Sequence, residues 1–158
     1  MNVTKKRQKE SRRKRQPRSA HADLFINIQR TAESLLWGVA EALKPAGLTP
    51  TQYNVLRILR GAGEEGLACR EISERMVNRD PDITRLLDRL EKQGFVKRAR
   101  DGKDRRVVMT YITAEGLRVL AELDQPISNL HKRQLGHLED HHVEHLHGLL
   151  ELAREKTK

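Results

Sequence analysis

Histidines crowd one short stretch near the carboxyl end of the sequence, and metal binding is the chemistry that they could supply. His141, Glu144 and His145 match the HxxEH pattern of inverted zinc hydrolases. A catalytic zinc needs a third protein ligand, which in that motif lies far downstream, and only thirteen residues follow His145. We therefore expect no enzyme and no bound cofactor. His141 and His145, one helical turn apart, remain weak candidates for a regulatory zinc site, against the simpler interpretation of a solvated helix.

Two further patterns could do chemistry but stand in the wrong context. Residues 61–66, GAGEEG, fit GxGxxG by letter, yet they follow a predicted helix and their glutamates would repel a pyrophosphate. Cys69 is the only cysteine, which excludes an internal disulfide. A thiol near a helix start beside Arg70 could be an oxidation switch or simply half-buried. Neither pattern predicts catalysis.

The polar residues from 82 onward form a stronger pattern, that of a DNA-reading helix. At 100° per residue, four apolar side chains share one face, which must turn inward: Ile83, Leu86, Leu87 and Leu90. The opposite face carries charges of both signs, which suits base edges better than bare phosphates. The candidate DNA-binding residues of this recognition helix are Asp82, Thr84, Arg85, Asp88 and Arg89. Asp82 and Arg85, nearest the helix start, are the expected base readers, and ordinary solvated helix charges are the alternative.

A basic hairpin follows that helix. Two β-prone runs flank Asp101 and Gly102, a strong turn signal. Cations on such a hairpin can follow phosphates or enter a narrow minor groove, and Arg105 or Arg106 is the expected insertion. The candidate wing contacts are Lys97, Arg98, Arg100, Lys103, Arg105 and Arg106. A solvated charge cluster is the alternative.

The elements that position these residues are mostly helices. Apolar residues recur every three to four positions from Ala22 until Pro45 and Gly47 end the first helix. Thr49 and Pro50 start a second helix, and a third runs near residues 68–77. Asp80 with Pro81 starts a fourth, which Gly94 ends. Thr113 caps a long helix, and a last helix begins near Glu139.

This order of helix, tight turn, helix and hairpin predicts a mainly α fold of the α+β class, a winged helix-turn-helix with a two-stranded wing. We divide the chain into a disordered basic arm (1–20), an N-terminal dimerisation helix (21–47), a DNA-binding lobe (48–113) and C-terminal dimerisation helices (114–158). The net charge of +9 is concentrated as +8 in the arm and +4 in the lobe, as a protein that binds an anionic polymer requires. The arm is either a tether to DNA or a solubilising extension.

The flanking helices carry more apolar surface than a lone winged helix could cover, which predicts a homodimer. No apolar run reaches the length of a bilayer span, and no signal peptide is recognisable. We therefore expect a cytoplasmic protein, associated with the nucleoid, without a membrane partner.

Two stretches, LTPTQYNVLRIL at 48–59 and ITRLLDRLEKQGFVKRARDGKDRRVVMTYITAEG at 83–116, resemble the MarR family of bacterial winged-helix regulators. The resemblance spans roughly residues 22–156, and its most specific part is the DRR run of residues 104–106 followed by Thr113. It implies an obligate homodimer on a pseudo-palindromic operator, in which Asp104 braces the wing and Arg106 reaches the minor groove. Ala68 departs from the family, which usually has Ser or Thr there, and so does the turn NRDPD at 78–82.

The resemblance also implies an effector, because many members bind phenolic or other lipophilic anions between the dimer helices and the DNA-binding lobe. Trp37 and Tyr53 could line such a pocket, or either could be plain core. We therefore expect a ligand-responsive repressor that binds double-stranded DNA. The alternative is an architectural DNA-binding protein that needs no ligand and has little sequence preference.

Overall fold

The computed structural model describes residues 19–77, 82–100 and 106–155, and within these ranges the chain is mainly helical, as predicted. In chain order the elements are α1 (Ala20–Leu43), α2 (Pro50–Ala62), β1 (Leu67–Ala68), α3 (Cys69–Arg75), α4 (Ile83–Lys92), β2 (Val96–Arg100), β3 (Val108–Ile112), α5 (Ala114–Leu135) and α6 (Asp140–Glu155), with 3₁₀ turns at Lys44–Ala46 and Gly63–Glu65. No helix of these described ranges is both long and apolar enough to cross a membrane.

The chain divides into two compact units, and the boundary lies between Leu35 and Leu36, inside α1. In the first unit, the hydroxyl oxygen of Ser19 accepts a hydrogen bond from the backbone N–H of Ala22 at 3.2 Å and so caps the helix. Phe25 in this unit is 61% exposed. The helical segment therefore carries apolar surface that the unit itself does not bury.

The second unit contains the hydrophobic core, to which α2, α3, α4, α5 and the sheet all contribute. Its fully buried aliphatic side chains are Leu43, Val55, Leu56, Leu59, Ile72, Leu87, Leu90 and Leu120. The core is aliphatic, as the scarcity of aromatic residues predicts.

The start of α2 follows the sequence prediction. Thr49 accepts a hydrogen bond from the backbone N–H of Gln52 at 3.2 Å, and the Gln52 side chain accepts one from the backbone N–H of Thr49 at 2.9 Å. This reciprocal capping box satisfies two N–H groups that a helix start leaves unpaired, and Pro50 stands where no N–H is needed.

The sheet has one strand more than predicted. β3 pairs antiparallel with β2 on one side and with β1 on the other, which gives the order β1-β3-β2. The expected wing had two strands, and Ala68 was expected in the third helix. β1 has only two residues, Leu67 and Ala68, which pair with Thr110 and Met109. A strand this short has no period-two pattern from which it could be predicted.

The two helices of the helix-turn-helix motif also differ from the prediction at their starts. α4 begins at Ile83 with Asp82 as its N-cap, not at Asp80 and Pro81; residues 78–81 lie outside the described part of the chain. At α3, the side chain of the N-cap residue Ala68 has no oxygen with which to cap the helix. Only the reverse half of a capping box remains there, in which Glu71 accepts a hydrogen bond from the backbone N–H of Ala68 at 2.8 Å.

A compact junction joins the end of α4 to the start of α5. Gly94 ends α4 with a φ of 78°, a conformation that favours glycine. The Thr113 hydroxyl donates to the Gly94 carbonyl at 2.7 Å and accepts from the backbone N–H of Gly116 at 3.1 Å. A Cβ on Gly116 would clash with the carbonyl oxygen of Phe95. The first turn of α5 therefore lies directly against the segment that leads into β2.

Candidate nucleic-acid interface

The inward and outward faces of α4 are those that the sequence predicts. Leu86, Leu87 and Leu90 are buried and Ile83 is half-buried. The exposed positions away from this inward face are Asp82, Thr84, Arg85, Arg89 and Lys92, whereas Asp88 is half-buried. An amphipathic helix of this kind leaves one polar face available to a partner.

The two expected base readers bond to each other in this structure. Asp82 caps α4 by accepting from the backbone N–H of Arg85 at 3.3 Å, and its other carboxylate oxygen lies 3.0 Å from the Arg85 Nε. The Arg85 side chain is nevertheless 79% exposed. Exposed ion pairs of this type contribute about 0–1 kcal/mol, so Arg85 can exchange Asp82 for another acceptor at little cost.

Among the described residues of the wing, Arg98 is held by two carboxylates of α4. Its guanidinium lies 2.6 Å from an Asp88 carboxylate oxygen and 2.5 Å from a Glu91 oxygen, and its Nε donates to Glu91 at 2.9 Å. The backbone N–H of Arg98 donates to the second Glu91 oxygen at 3.1 Å. Four contacts therefore tie β2 to the last two turns of α4.

The electrostatics of this cluster follow from its geometry. The hydrogen bond from Arg98 holds the pKa of the Glu91 carboxyl below its usual value, and the same bond raises the pKa of the Arg98 guanidinium. Both shifts favour the charged forms of Glu91 and Arg98. The sequence places Asp88 and Arg98 in two separate contact sets and gives no sign of Glu91, because no sequence signal joins a residue of α4 to one of β2 across the intervening turn.

The described cations of the wing lie on different faces of the hairpin. Side chains alternate along a strand, so Arg98 and Arg100 share the face of Val96, whereas Lys97 is on the opposite face. There its ammonium lies 5.8 Å from the centre of the Tyr111 ring. Arg100 and Arg106 are exposed. Lys103, Asp104 and Arg105 fall outside the described residues, so the expected bracing by Asp104 stays a prediction.

A cavity of about 300 Å³ lies in the second unit beside α2. It is lined by Leu36, Val39, Pro50, Thr51, Tyr53, Asn54, Arg57, Met76, Val77, Ile127 and His131. The Arg57 guanidinium lies 5.8 Å from the centre of the Tyr53 ring, and burial raises the pKa of the Tyr53 hydroxyl. The lining is largely apolar and includes the basic side chains of Arg57 and His131. Such a lining suits a lipophilic anion.

Of the two residues expected in a ligand pocket, only Tyr53 is among the described residues that line this cavity. Trp37 is 70% exposed instead. An exposed tryptophan on a helix with further exposed apolar residues is typical of a surface that another chain covers.

The candidate metal residues lie at the start of α6, where all the described side chains are exposed. The structure groups His141 with Glu139 and His142, whereas His145, its expected partner at the helical spacing of four, is not in that group. The sequence does not indicate the adjacent His142 or the preceding Glu139, because the expected pattern is a pair of histidines spaced by four residues, one helical turn apart.

The family model and the related solved structures all indicate the MarR family. The model of the MarR family matches residues 48–108. A MarR transcription factor from Planctomyces limnophilus is 37% identical with a TM-score of 0.66, and the match covers 88% of this chain and 98% of that one. A cysteine-to-serine mutant of MarR from E. coli, solved in complex with operator DNA, is 26% identical with a TM-score of 0.77 over 83% of this chain and 93% of that one.

A curated relative agrees with the structures. The HTH-type transcriptional repressor MdtR of Bacillus subtilis is 33% identical over 95 residues, which are 60% of this chain and 60% of that protein. The match therefore spans less than two thirds of that repressor's length. The two solved structures, in contrast, match over nearly their whole length.

Proposed function

Because the chain belongs to the MarR family, we propose that it is a transcriptional regulator that binds a specific double-stranded DNA operator as a homodimer. The observation that carries this proposal is the pairing of an exposed polar helix face with a basic hairpin held against it through Arg98. A winged helix needs both parts at a fixed spacing to contact adjacent grooves. The operator complex of the related E. coli MarR supports this assignment.

The polar face of α4 enters the major groove in this proposal. Thr84, Arg85 and Arg89 are exposed there and need no rearrangement of the core to reach DNA. Arg85 leaves Asp82 to form a bidentate contact with a guanine, the commonest specific contact of arginine. Asp82 and Asp88 shape this face, the first as helix cap and the second as partner of Arg98.

The structure leads us to give Arg98 a different role from the other wing cations. Its guanidinium already contacts two carboxylates, so Arg98 positions the wing instead of contacting phosphate. Arg100 is the exposed cation on the same face of β2, and we assign the phosphate contact to it. The minor-groove contact stays with Arg106 and the hairpin tip, including Lys103 and Arg105.

The homodimer covers the apolar surface at the two ends of the chain. The exposed large apolar residues there are Leu24, Phe25, Ile28, Leu36 and Trp37 of α1 and Val143, Leu146, Leu149, Leu150 and Leu152 of α6. α6 buries none of its residues within the single chain. Apolar area removed from water contributes about 25 cal/mol per Å², so a second copy is the partner that these helices require.

The cavity beside α2 gives the regulator an effector site, and a lipophilic or phenolic anion is the ligand that its lining favours. Arg57 supplies positive charge next to apolar walls, and the His131 imidazole lies in the same lining. The backbone N–H of Val77, which also lines the cavity, donates to Asn54 at 3.2 Å. Val77 is the last residue described before Asp82, the N-cap of α4, so a ligand that alters this contact shifts the population of DNA-binding conformations.

A competition experiment tests the main proposal. The protein is titrated with a duplex from its own promoter and with a scrambled duplex of equal length, at physiological salt. A sequence-specific regulator binds its operator about a thousandfold or more tightly than the scrambled duplex. Near-equal affinities would support the alternative, an architectural protein with little sequence preference.

A second titration tests the effector. Adding p-hydroxybenzoate, as a representative phenolic anion, to the operator complex should release DNA, and Arg57→Ala should weaken this effect without changing operator affinity in its absence. Release that is unchanged in Arg57→Ala would place the effector elsewhere.

A transcriptional regulator acts where the chromosome is, so we place the protein in the cytoplasm at the nucleoid, and we assign no enzymatic activity to it.

A further inference from the structure

The start of α6 brings three potential metal ligands together. One ligand atom each from Glu139, His141 and His142 lies within 4.8 Å of the others. The imidazole Nδ1 of His141 is 3.4 Å from a carboxylate oxygen of Glu139, and the rings of His141 and His142 have centroids 3.8 Å apart. The first turn of α6 holds the three residues together, because the N–H of His142 donates to the Glu139 carbonyl at 2.9 Å.

We propose that Glu139, His141 and His142 form a zinc-binding site. This site is separate from the DNA-binding face and from the cavity beside α2, and it goes beyond the proposed regulatory function. It uses a different set of residues from the His141 and His145 pair that the sequence suggests.

The donor set selects the class of metal. Two imidazole nitrogens and one carboxylate oxygen suit zinc and its neighbours among the divalent transition metals, whereas calcium and magnesium prefer oxygen ligands throughout. Three protein ligands leave a fourth tetrahedral position for water. The site is therefore expected to hold exchangeable zinc.

The required change in geometry is small. Zinc bonds to nitrogen and oxygen at about 2.0–2.2 Å, so tetrahedral ligand atoms lie about 3.3 Å apart. The 3.4 Å separation of His141 and Glu139 already meets this value. The side chains of His141 and Glu139 are mostly exposed, 66% and 77%. Rotation of His142 about its own side-chain torsions can therefore bring the third ligand into place without moving the core.

Local electrostatics oppose the cation in one respect and favour it in another. The amino end of a helix carries partial positive charge, which disfavours a metal ion. Asp140, in the first turn of α6, adds a second carboxylate beside Glu139. The two negative charges offset the helix dipole at the ion.

The experiment uses the full chain, purified without a histidine tag and treated with a chelator. Zinc is titrated by calorimetry, and cobalt is used as a spectroscopic probe of tetrahedral coordination. We expect one zinc per chain. Glu139→Gln, His141→Gln and His142→Gln should each weaken zinc binding by at least about tenfold, since even changes to residues that only support a ligand cost about 10–100-fold.

His147→Gln is the matched control. His147 lies on the same helix, is similarly exposed and is near Glu151 instead of the proposed ligands, so this variant should bind zinc as the unaltered protein does. All these positions are on the surface, and circular dichroism verifies that each variant is folded. The proposal is overturned if the unaltered chain binds no zinc at micromolar concentration. It is also overturned if His145→Gln abolishes binding while His142→Gln leaves it unchanged, because the pair spaced by four residues would then be the site.

Discussion

Arg85 combines two roles that only a residue at a helix start can have. Its backbone N–H donates to the Asp82 carboxylate that caps α4. Its side chain is exposed to solvent beside the same carboxylate. The cap depends on the backbone of residue 85, so it survives any change of side chain. Substitution at Arg85 therefore separates the DNA contact from helix stability.

We predict that Arg85→Ala costs about 1–3 kcal/mol of operator affinity and relaxes base preference at one operator position. The reason is the loss of a bidentate contact with a base. Measuring affinities for operators mutated at each position in turn identifies that position. A uniform loss over all sequences, without relaxed preference, would contradict the assignment of Arg85 as a base reader.

Substitutions at Arg98 and Arg100 test whether two cations on the same face of β2 have different roles. Arg98→Ala leaves Asp88 and Glu91 facing each other without their shared partner, and we expect a loss of about 1.5–3 kcal/mol in unfolding free energy, the range for hydrogen bonds to charged groups. Arg100→Ala should leave stability unchanged and flatten the salt dependence of DNA binding by about one phosphate contact. Urea unfolding and binding isotherms over a range of salt measure both effects.

The Arg98 cluster also makes stability depend on pH with a definite sign. The folded-state pKa of Glu91 lies below its value of 4.5 in the absence of the contact. The cluster therefore contributes fully above about pH 4.5 and loses its contribution as the pH falls through the lowered pKa. The difference in urea midpoint between the unaltered protein and Arg98→Ala should shrink on acidification in this window. A difference that is constant from neutral pH down to about pH 3 would show that Glu91 is not held by Arg98.

At the scale of elements, the junction between α4 and α5 decides where the wing begins. Thr113, Gly94 and Phe95 bond across it, and Gly116 has no room for a side chain. A backbone carbonyl, unlike a flexible side-chain end, cannot move away from an added methyl group without shifting the strand behind it. This junction therefore fixes β2 relative to α5 as Arg98 fixes it relative to α4.

Gly116→Ala should destabilise the protein by about 1–3 kcal/mol, the usual cost of overpacking a tight site. Gly148→Ala is the control, because an added Cβ there meets nothing within 4 Å, and alanine in a helix interior is favoured over glycine by about 1 kcal/mol. Thermal unfolding should therefore shift in opposite directions in the two variants. A parallel shift would mean that the close approach at Phe95 is not what excludes a side chain at residue 116.

At the scale of the whole molecule, the proposed homodimer depends on helices at the two ends of the sequence. Leu146 and Leu150 are exposed in the single chain and lie one helical turn apart on α6. An apolar stripe of this kind on a surface helix indicates contact with another chain.

We predict that the double substitution Leu146→Asp with Leu150→Asp produces a monomer that has lost high-affinity operator binding, because two charges would be buried at the interface. Analytical ultracentrifugation measures the mass, and the competition assay measures binding. Val108→Asp, at a residue of β3 with a similar exposure of 46%, should leave the mass of the dimer unchanged. A double variant that remains dimeric would show that α6 does not form the interface.

The sequence by itself determined the features that depend on neighbours along the chain. The helix start at Thr49, the cap at Thr113 and the buried face of α4 could all be predicted, because each involves residues no more than one or two helical turns apart. The family resemblance, carried by residues 48–59 and 83–116, located the same helices and hairpin.

Only the tertiary structure decided which charged groups meet. Arg98 is one of several similar cations in the sequence until folding places it between Asp88 and Glu91. β1 exists only because β3 offers it a hydrogen-bonding edge. Local patterns specify helices and their faces because those interactions are short-range along the chain, whereas ion pairs and strand pairings between elements depend on distances that the packed core sets.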